Sequence, residues 1–156
     1  MAHRPAPGDP APDFEATATD GSRVSLASYR GRKLVLYFYP RDDTPHCTRQ
    51  ACSFRDHASE FAARGVAVLG VSTQAEASHR AFTSKHGLDF PLLADTDGKV
   101  ARAYGAMGGG GLVSKLKAAL GLADRVTFVI DEQGRVAHVI GKPDVSRHAD
   151  EVLALL

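Results

Sequence analysis

The chain's two cysteines, Cys47 and Cys52, stand in the stretch Thr44-Pro45-His46-Cys47-Thr48-Arg49-Gln50-Ala51-Cys52. This stretch follows a strongly apolar run, Leu34-Val35-Leu36-Tyr37-Phe38-Tyr39, and opens a segment in which Ala51, Phe54, Ala58 and Phe61 return at helical spacing. The pattern predicts a strand feeding a helix, with Thr44 at the N-cap, Pro45 at the first helical position and Cys47 in the first turn. A thiol placed there meets the positive end of the helix dipole and backbone N–H groups that lack an intrahelical acceptor. Both favour the thiolate, which is the nucleophilic form. Lowering a thiol's pKa also weakens its intrinsic nucleophilicity, so fast chemistry needs further donors aimed at the substrate.

In an intact helix, a five-residue offset sets the Cα atoms of Cys47 and Cys52 about 8.6 Å apart by the standard rise and radius. A disulfide needs less than about 7 Å. A bridge between them therefore requires the first helical segment to unwind. The spacing implies a cycle: a folded state presents Cys47 to substrate, and an unwound, oxidised state holds the two sulfurs together until a reductant resets it. The blander alternative is a pair of buried small hydrophobes, the usual fate of cysteine. A metal site built from the two cysteines with His46 and His57 is a further class of function, but their spacing matches no standard zinc pattern. The glycine run before Lys115 carries neither Gly-Lys-Ser/Thr nor Gly-x-Gly-x-x-Gly, so a phosphate loop is rejected. No metal and no cofactor are expected.

The elements that must position these thiols follow in chain order. At 156 residues the chain suits one domain, 1–156, in which the proline-rich residues 1–12 form an extended or mobile lead-in. Asp20-Gly21, with alternating neighbours on both sides, marks a hairpin. The run at 33–39 does not alternate, so both its faces should be covered, as in a central strand. One helix is expected from Thr44 to Gly65. It is followed by a strand at 66–71, a helix at about 75–86, a short strand at 90–93 and one or two helical turns at 97–104. Leu112 to Leu120 reads as a short helix with Leu112, Val113, Leu116 and Leu120 along one side. Arg125 to Ile130 and Arg135 to Ile140 flank Asp131-Glu132-Gln133-Gly134 as an antiparallel hairpin, and 145–156 closes as a helix. This alternation makes the fold class α/β.

With 19 Lys+Arg against 18 Asp+Glu and no block of like charge, neither nucleic acid nor a membrane surface is expected as partner. No secretory signal and no apolar run of membrane-spanning length is present, so the chain, taken as complete, is expected to be cytoplasmic.

Pro40-x-x-x-Thr44-Pro45-x-Cys47-Thr48 after an apolar strand, with Ala11-Pro12-Asp13-Phe14 upstream and Arg125-Val-Thr-Phe-Val-Ile downstream, resembles the peroxiredoxins of the thioredoxin superfamily. The second cysteine at +5 is similar to the bacterioferritin comigratory protein, or Q-type, subfamily. The resemblance runs from residue 8 to the end. It implies a thioredoxin-like fold with a central mixed sheet, and a peroxidase acting on hydrogen peroxide and small organic hydroperoxides. By the same resemblance Cys47 attacks the peroxide and becomes a sulfenic acid, Cys52 resolves it within one chain, and thioredoxin is the reductant. Thr44 hydrogen-bonds the peroxide, Arg125 holds the thiolate and polarises the O–O bond, and Pro40 shields the pocket. A monomer is expected. Two departures stand out: His46 occupies a position where the family usually has glycine, and the tryptophan-containing segment the family tends to carry near 108–120 is absent. The competing function is a thiol–disulfide oxidoreductase, against which the lack of Cys-x-x-Cys argues.

Overall fold

The computed structural model describes residues 4–109 and 111–156. A seven-stranded sheet organises the chain: β1 (Glu15–Ala18), β2 (Arg23–Ser25), β3 (Leu34–Phe38), β4 (Ala67–Ser72), β5 (Leu92–Ala94), β6 (Val126–Ile130) and β7 (Val136–Ile140), in spatial order β2-β1-β5-β4-β3-β6-β7. β3 pairs in parallel with β4 and antiparallel with β6, and β4 runs parallel to β5. β1 joins the sheet antiparallel to β5, and the hairpin turn at Asp20-Gly21 brings β2 alongside β1 at the edge. The result is the mixed α/β sheet expected, with β3 fully buried near its centre.

Each face of β3 feeds a different core. Leu34, Leu36 and Phe38 pack with Leu69, Val71, Phe128, Tyr104 and Phe14 on one side. Val35, Tyr37 and Tyr39 pack on the other with Cys47, Ala51, Phe54, Phe82 and Val152. Two covered faces explain why the strand carries no polar alternation. The second face is roofed by α1 (Pro45–Asp56), α2 (Ala58–Ala63), α3 (Glu76–His86) and α6 (His148–Leu153), while α4 (Lys99–Ala103) sits on the first.

The single helix expected from Thr44 to Gly65 is two helices, broken at His57. The His57 ring Nδ1 lies 2.9 Å from the Ser53 carbonyl, the acceptor the next helical N–H would have used, and His57 N–H turns instead to Phe54 O. Such side-chain capture of a backbone acceptor competes with helix propagation. The other ring nitrogen, Nε2, reaches Asp150 on α6 at 3.2 Å. The lead-in, expected to be extended or mobile, is tied to the sheet over part of its length. Gly8 N–H donates to Val136 O, Val136 N–H to Asp9 O and Ala11 N–H to Gly134 O, stitching residues 8–11 to the β6–β7 hairpin. Residues 1–3 lie outside the described residues.

α5 (Leu112–Ala119) forms as read, but its apolar side faces outward, with Leu112 74% exposed. Its attachment is polar: Ser114 Oγ donates to Asp124 at 2.6 Å, and Thr73 Oγ1 to Gly121 O at 2.5 Å.

α6 docks through a buried imidazole. His148 Nδ1–H donates to Glu151 at 2.9 Å, Nε2 accepts the Thr127 hydroxyl at 2.7 Å, and the ring stands edge-on to Phe54. That arrangement needs neutral histidine, and burial holds the group below its ordinary value, outweighing the Glu151 carboxylate that favours the charged form. A depressed folded value means that the stability it contributes is fully present above the unfolded value of about 6.5 and is lost as pH falls through the folded one. Thermal melts of wild type should therefore lose stability on acidification below about pH 6.5, and His148→Asn should remove that limb. His57, held above its ordinary value first by the Ser53 carbonyl, contributes with opposite sign. Its side chain is 26% exposed and that of its partner Asp150 50%, so solvent screening reduces its share.

Candidate active site

α1 starts where β3 ends. Pro45 occupies N1, where no N–H is needed, and Thr48 N–H donates to Thr44 O, closing the first turn. The N–H groups of His46 and Cys47 precede the first intrahelical bond and so have no acceptor within the helix. The Cys47 side chain is 2% exposed and faces the sheet with Ala51 and Phe54.

Arg125 comes from 78 residues away. It precedes β6, and the register Phe38↔Val126 sets it beside Tyr39, where β3 hands over to α1. Its Nη2 donates to Cys47 Sγ at 3.1 Å and its Nη1 to Gln50 Oε1 at 2.7 Å. Gln50 is fully buried one turn beyond Cys47, and its Nε2 finds no partner among the described residues. A guanidinium with one nitrogen on sulfur and the other on a fixed amide oxygen cannot swing away without stranding both.

The loop 40–44 is pinned to α3. Asp42 is a hub: it accepts from Tyr39 Oη at 2.6 Å, Ser78 Oγ at 2.7 Å and His79 Nδ1 at 2.6 Å. His79, fully buried, also faces Leu93 O through Nε2 at 2.9 Å. Burial alone pushes the Asp42 carboxyl up, but the bond and charge of His79, with Tyr39 and Ser78, more than offset it and hold the group below the usual carboxylate range. Gln74 bridges the loop from the end of β4, accepting from Asp42 N–H and donating to Pro40 O. Asp43 takes a left-handed backbone, φ 58°, and reaches Lys85 at 2.7 Å and His86 at 3.0 Å one heptad beyond His79. Positive φ at a non-glycine residue is strained, and the contacts with Lys85 and His86 keep it in place.

Residues 7–139 match the model of the AhpC/TSA family. The chain belongs to that family. A putative peroxiredoxin, bcp, from Coxiella burnetii is 40% identical over 149 residues, covering 96% of this chain and 97% of the relative. Peroxiredoxin Bcp of Bacillus subtilis is 40% identical over 153 residues, covering 96% and 93%. Among solved structures, Mycobacterium tuberculosis peroxidoxin BcpB superposes with TM-score 0.84 at 35% identity, covering 97% of this chain and 96% of that one. The bacterioferritin comigratory protein of Xanthomonas campestris does so with TM-score 0.80 at 32% identity, covering 90% and 88%. This AhpC/TSA chain is thus a peroxiredoxin of the Bcp kind, a thiol-dependent peroxidase on a thioredoxin-like fold. None of its helices is long and apolar enough to cross a membrane among the described residues.

Of the site residues expected from sequence, the fold brings Cys47 and Arg125 into contact. Thr44 stands at the N-cap, but its hydroxyl does not cap the helix; it donates to Arg41 O at 3.0 Å. Pro40 is half-buried at the mouth of the loop, and its carbonyl is held by Gln74. Cys52 is partly exposed in intact α1, and both thiols are free. His46 is exposed on the outer side of the first turn. Among the described residues, no three His, Cys, Asp or Glu side chains are grouped to hold a metal ion.

Sequence reading missed Gln50, Asp42, His79 and Gln74. A signal existed for two of them. Gln50 is a polar residue on the buried side of α1 with Cys47, Ala51 and Phe54, and His79 shares the inner α3 face with Phe82 and His86 at spacings of three and four.

Proposed function

We propose that Cys47 is the group that reduces the hydroperoxide, and that Cys52 resolves it within one chain. The observation that carries this is the Arg125 guanidinium 3.1 Å from Cys47 Sγ, locked by Gln50. The thiolate attacks one peroxide oxygen in line; the O–O bond breaks and the departing oxygen, gaining negative charge, leaves as water or alcohol. Arg125 and the first N–H groups of α1 are donors where that charge develops, which is where preorganised donors lower a barrier most. With its proton committed to Arg41 O, the Thr44 oxygen is left as an acceptor for the peroxide O–H, and Pro40 shields the attacked sulfur from solvent. The Cys47 sulfenic acid is then displaced by Cys52 after α1 unwinds, and a thioredoxin-type dithiol reduces the disulfide. Both thiols lie in one chain, so a monomer suffices, and a reducing compartment such as the cytoplasm suits the cycle. Hydrogen peroxide and small organic hydroperoxides are the substrates.

The test adds one equivalent of hydrogen peroxide to reduced protein and follows thiols and mass. Wild type should lose both thiols without gaining oxygen, whereas Cys52→Ser should accumulate a Cys47 sulfenic acid that a dimedone probe captures. Thiols indifferent to peroxide, or a sulfenic acid on Cys52, would overturn the reading.

A further inference from the structure

Loop 40–44 carries Pro40 and Thr44, the groups assigned to shielding the sulfur and accepting the peroxide O–H, and side chains from other elements fix where it lies. Two of its residues reach α3. Asp43 meets Lys85 at 2.7 Å, but both side chains are exposed, and water screens most of what such a pair contributes. Asp42 meets His79 Nδ1 at 2.6 Å with the two side chains only 5% and 0% exposed. The buried contact is the one that sets how the loop stands against α3.

Hydrogen-bond accounting fixes the state of the His79 ring. Asp42 accepts the Tyr39 hydroxyl on Oδ1 at 2.6 Å and the Ser78 hydroxyl on Oδ2 at 2.7 Å. Burial pushes its carboxyl up, but the bond and charge of His79 outweigh that and keep it ionised. An ionised carboxylate has no proton to give, so Nδ1 donates to it. Nε2 faces the Leu93 carbonyl at 2.9 Å, which is also an acceptor only. Both ring nitrogens donate, and a ring that does so is an imidazolium. Either neutral tautomer would set a bare nitrogen against an oxygen. Because the pair is buried, loss of one partner strands the other away from water. Asp42, His79 and Leu93 thus form a continuous tie from the loop, across α3, to β5 inside the sheet.

We propose that His79 is a positioning residue of the peroxide reaction: through its bonds to Asp42 and Leu93 it fixes loop 40–44, and with it Pro40 and Thr44, relative to Cys47. This rests on the assignment of Cys47 as the attacking group. His79 contacts Asp42 and Leu93, and acts on the reaction through the place it gives the Thr44 oxygen. A misplacement of about 1 Å at a reacting centre costs up to about a hundredfold in rate. Gln74 ties the same loop from the end of β4, through Asp42 N–H and Pro40 O. Those bonds survive the loss of His79, so the loop tilts rather than melts, and the thiolate beside Arg125 is left as it was.

The experiment uses the full chain in a Cys52→Ser background, so that Cys47 is the thiol that reacts. Two rates are measured for each variant: oxidation by hydrogen peroxide, from competition with a peroxidase of known rate, and alkylation by iodoacetamide, which needs the thiolate but not the loop. His79→Gln places its amide nitrogen where Nε2 stood, keeping a donor for Leu93 and losing the one for Asp42. His79→Asn does the reverse. His79→Gln should slow oxidation by about tenfold or more with alkylation within about twofold, whereas His79→Asn should oxidise within about threefold of the background protein. Each variant loses one buried bond, so their thermal midpoints should fall alike; a merely structural role would make the two rates follow the midpoint. Asp42→Ala removes the same bond from the loop side and should reproduce His79→Gln, which keeps the question answerable if one variant fails to fold. Nitrogen NMR of histidine-labelled protein at neutral pH should show one ring, absent from the His79→Asn spectrum, with both nitrogens protonated. Oxidation of His79→Gln and Asp42→Ala at the background rate, oxidation and alkylation falling together, His79→Asn as slow as His79→Gln, or a bare nitrogen on that ring would each overturn the proposal. A background protein whose Cys47 alkylates but is not oxidised by peroxide would instead overturn the assignment on which it rests.

Discussion

Arg125→Met is expected to slow oxidation of Cys47 by hydrogen peroxide by about a hundredfold to a thousandfold, the range found when one preorganised donor to a developing anion is removed. Methionine keeps the length of the side chain and removes both Nη donors, so the sulfur loses its 3.1 Å partner and Gln50 loses its 2.7 Å one. Arg125→Lys keeps a charge near the sulfur, but an ammonium cannot serve sulfur and amide oxygen in one plane, so it should recover only part of the rate. Gln50→Ala leaves the guanidinium present but free to rotate, and a smaller loss is expected. The second-order rate constant for the first oxidation, read by competition with a peroxidase of known rate, decides the matter. An Arg125→Met protein within threefold of wild type would remove Arg125 from the chemistry.

The largest stability effect is expected beneath the site, at Gly70. A Cβ there would stand 2.7 Å from Leu92 Cδ2, 2.9 Å from Tyr37 Cζ and 3.0 Å from Tyr37 Oη. None of these atoms can retreat. Leu92 is fully buried on β5, and Tyr37 is clamped between Tyr39 at 5.5 Å and Phe54 at 4.8 Å, with Phe90 edge-on. Gly70→Ala should therefore cost about 1–3 kcal/mol, the usual penalty for overpacking a filled core, seen as a lower urea midpoint. Because Tyr37 carries Phe54, the damage should reach α1, and the disulfide should form faster in the variant even as the fold weakens. A midpoint unchanged from wild type would show that β4 can shift to make room.

Most of the architecture was legible because local signals and burial agree. The unbroken apolar run at 34–39 announced a strand covered on both faces, Gly87 with a left-handed φ of 60° ended α3 where expected, and Asp20-Gly21 turned the first hairpin. What escaped was decided by partners far away in sequence. Nothing local to His57 says that its ring will take the Ser53 carbonyl, because the reward comes from Asp150 on α6. The outward face of α5 reads as a core stripe by period alone, yet its attachment runs through Ser114 and Asp124. At the candidate site, Cys47 stood out by its place in the first helical turn, while Thr44 and Arg125 were pointed to by resemblance. Asp42 and His79 stayed silent, since a carboxylate in a loop and a histidine on a helix acquire meaning only when α3 lies against the loop.

The stitching of residues 8–11 to the β6–β7 hairpin sets a rule for how the molecule can be made. Arg135 Nη1 bonds to Gly8 O across 127 positions, so residues 8–11 wait at the ribosome for strands that emerge more than a hundred residues later. β1, which pairs with β5, waits as well. Vectorial synthesis can complete only the β3–α1–β4 unit early, and that unit holds both thiols. Until β6 arrives with Arg125, the nascent Cys47 stands without its guanidinium, and the proposed centre is completed only late in synthesis.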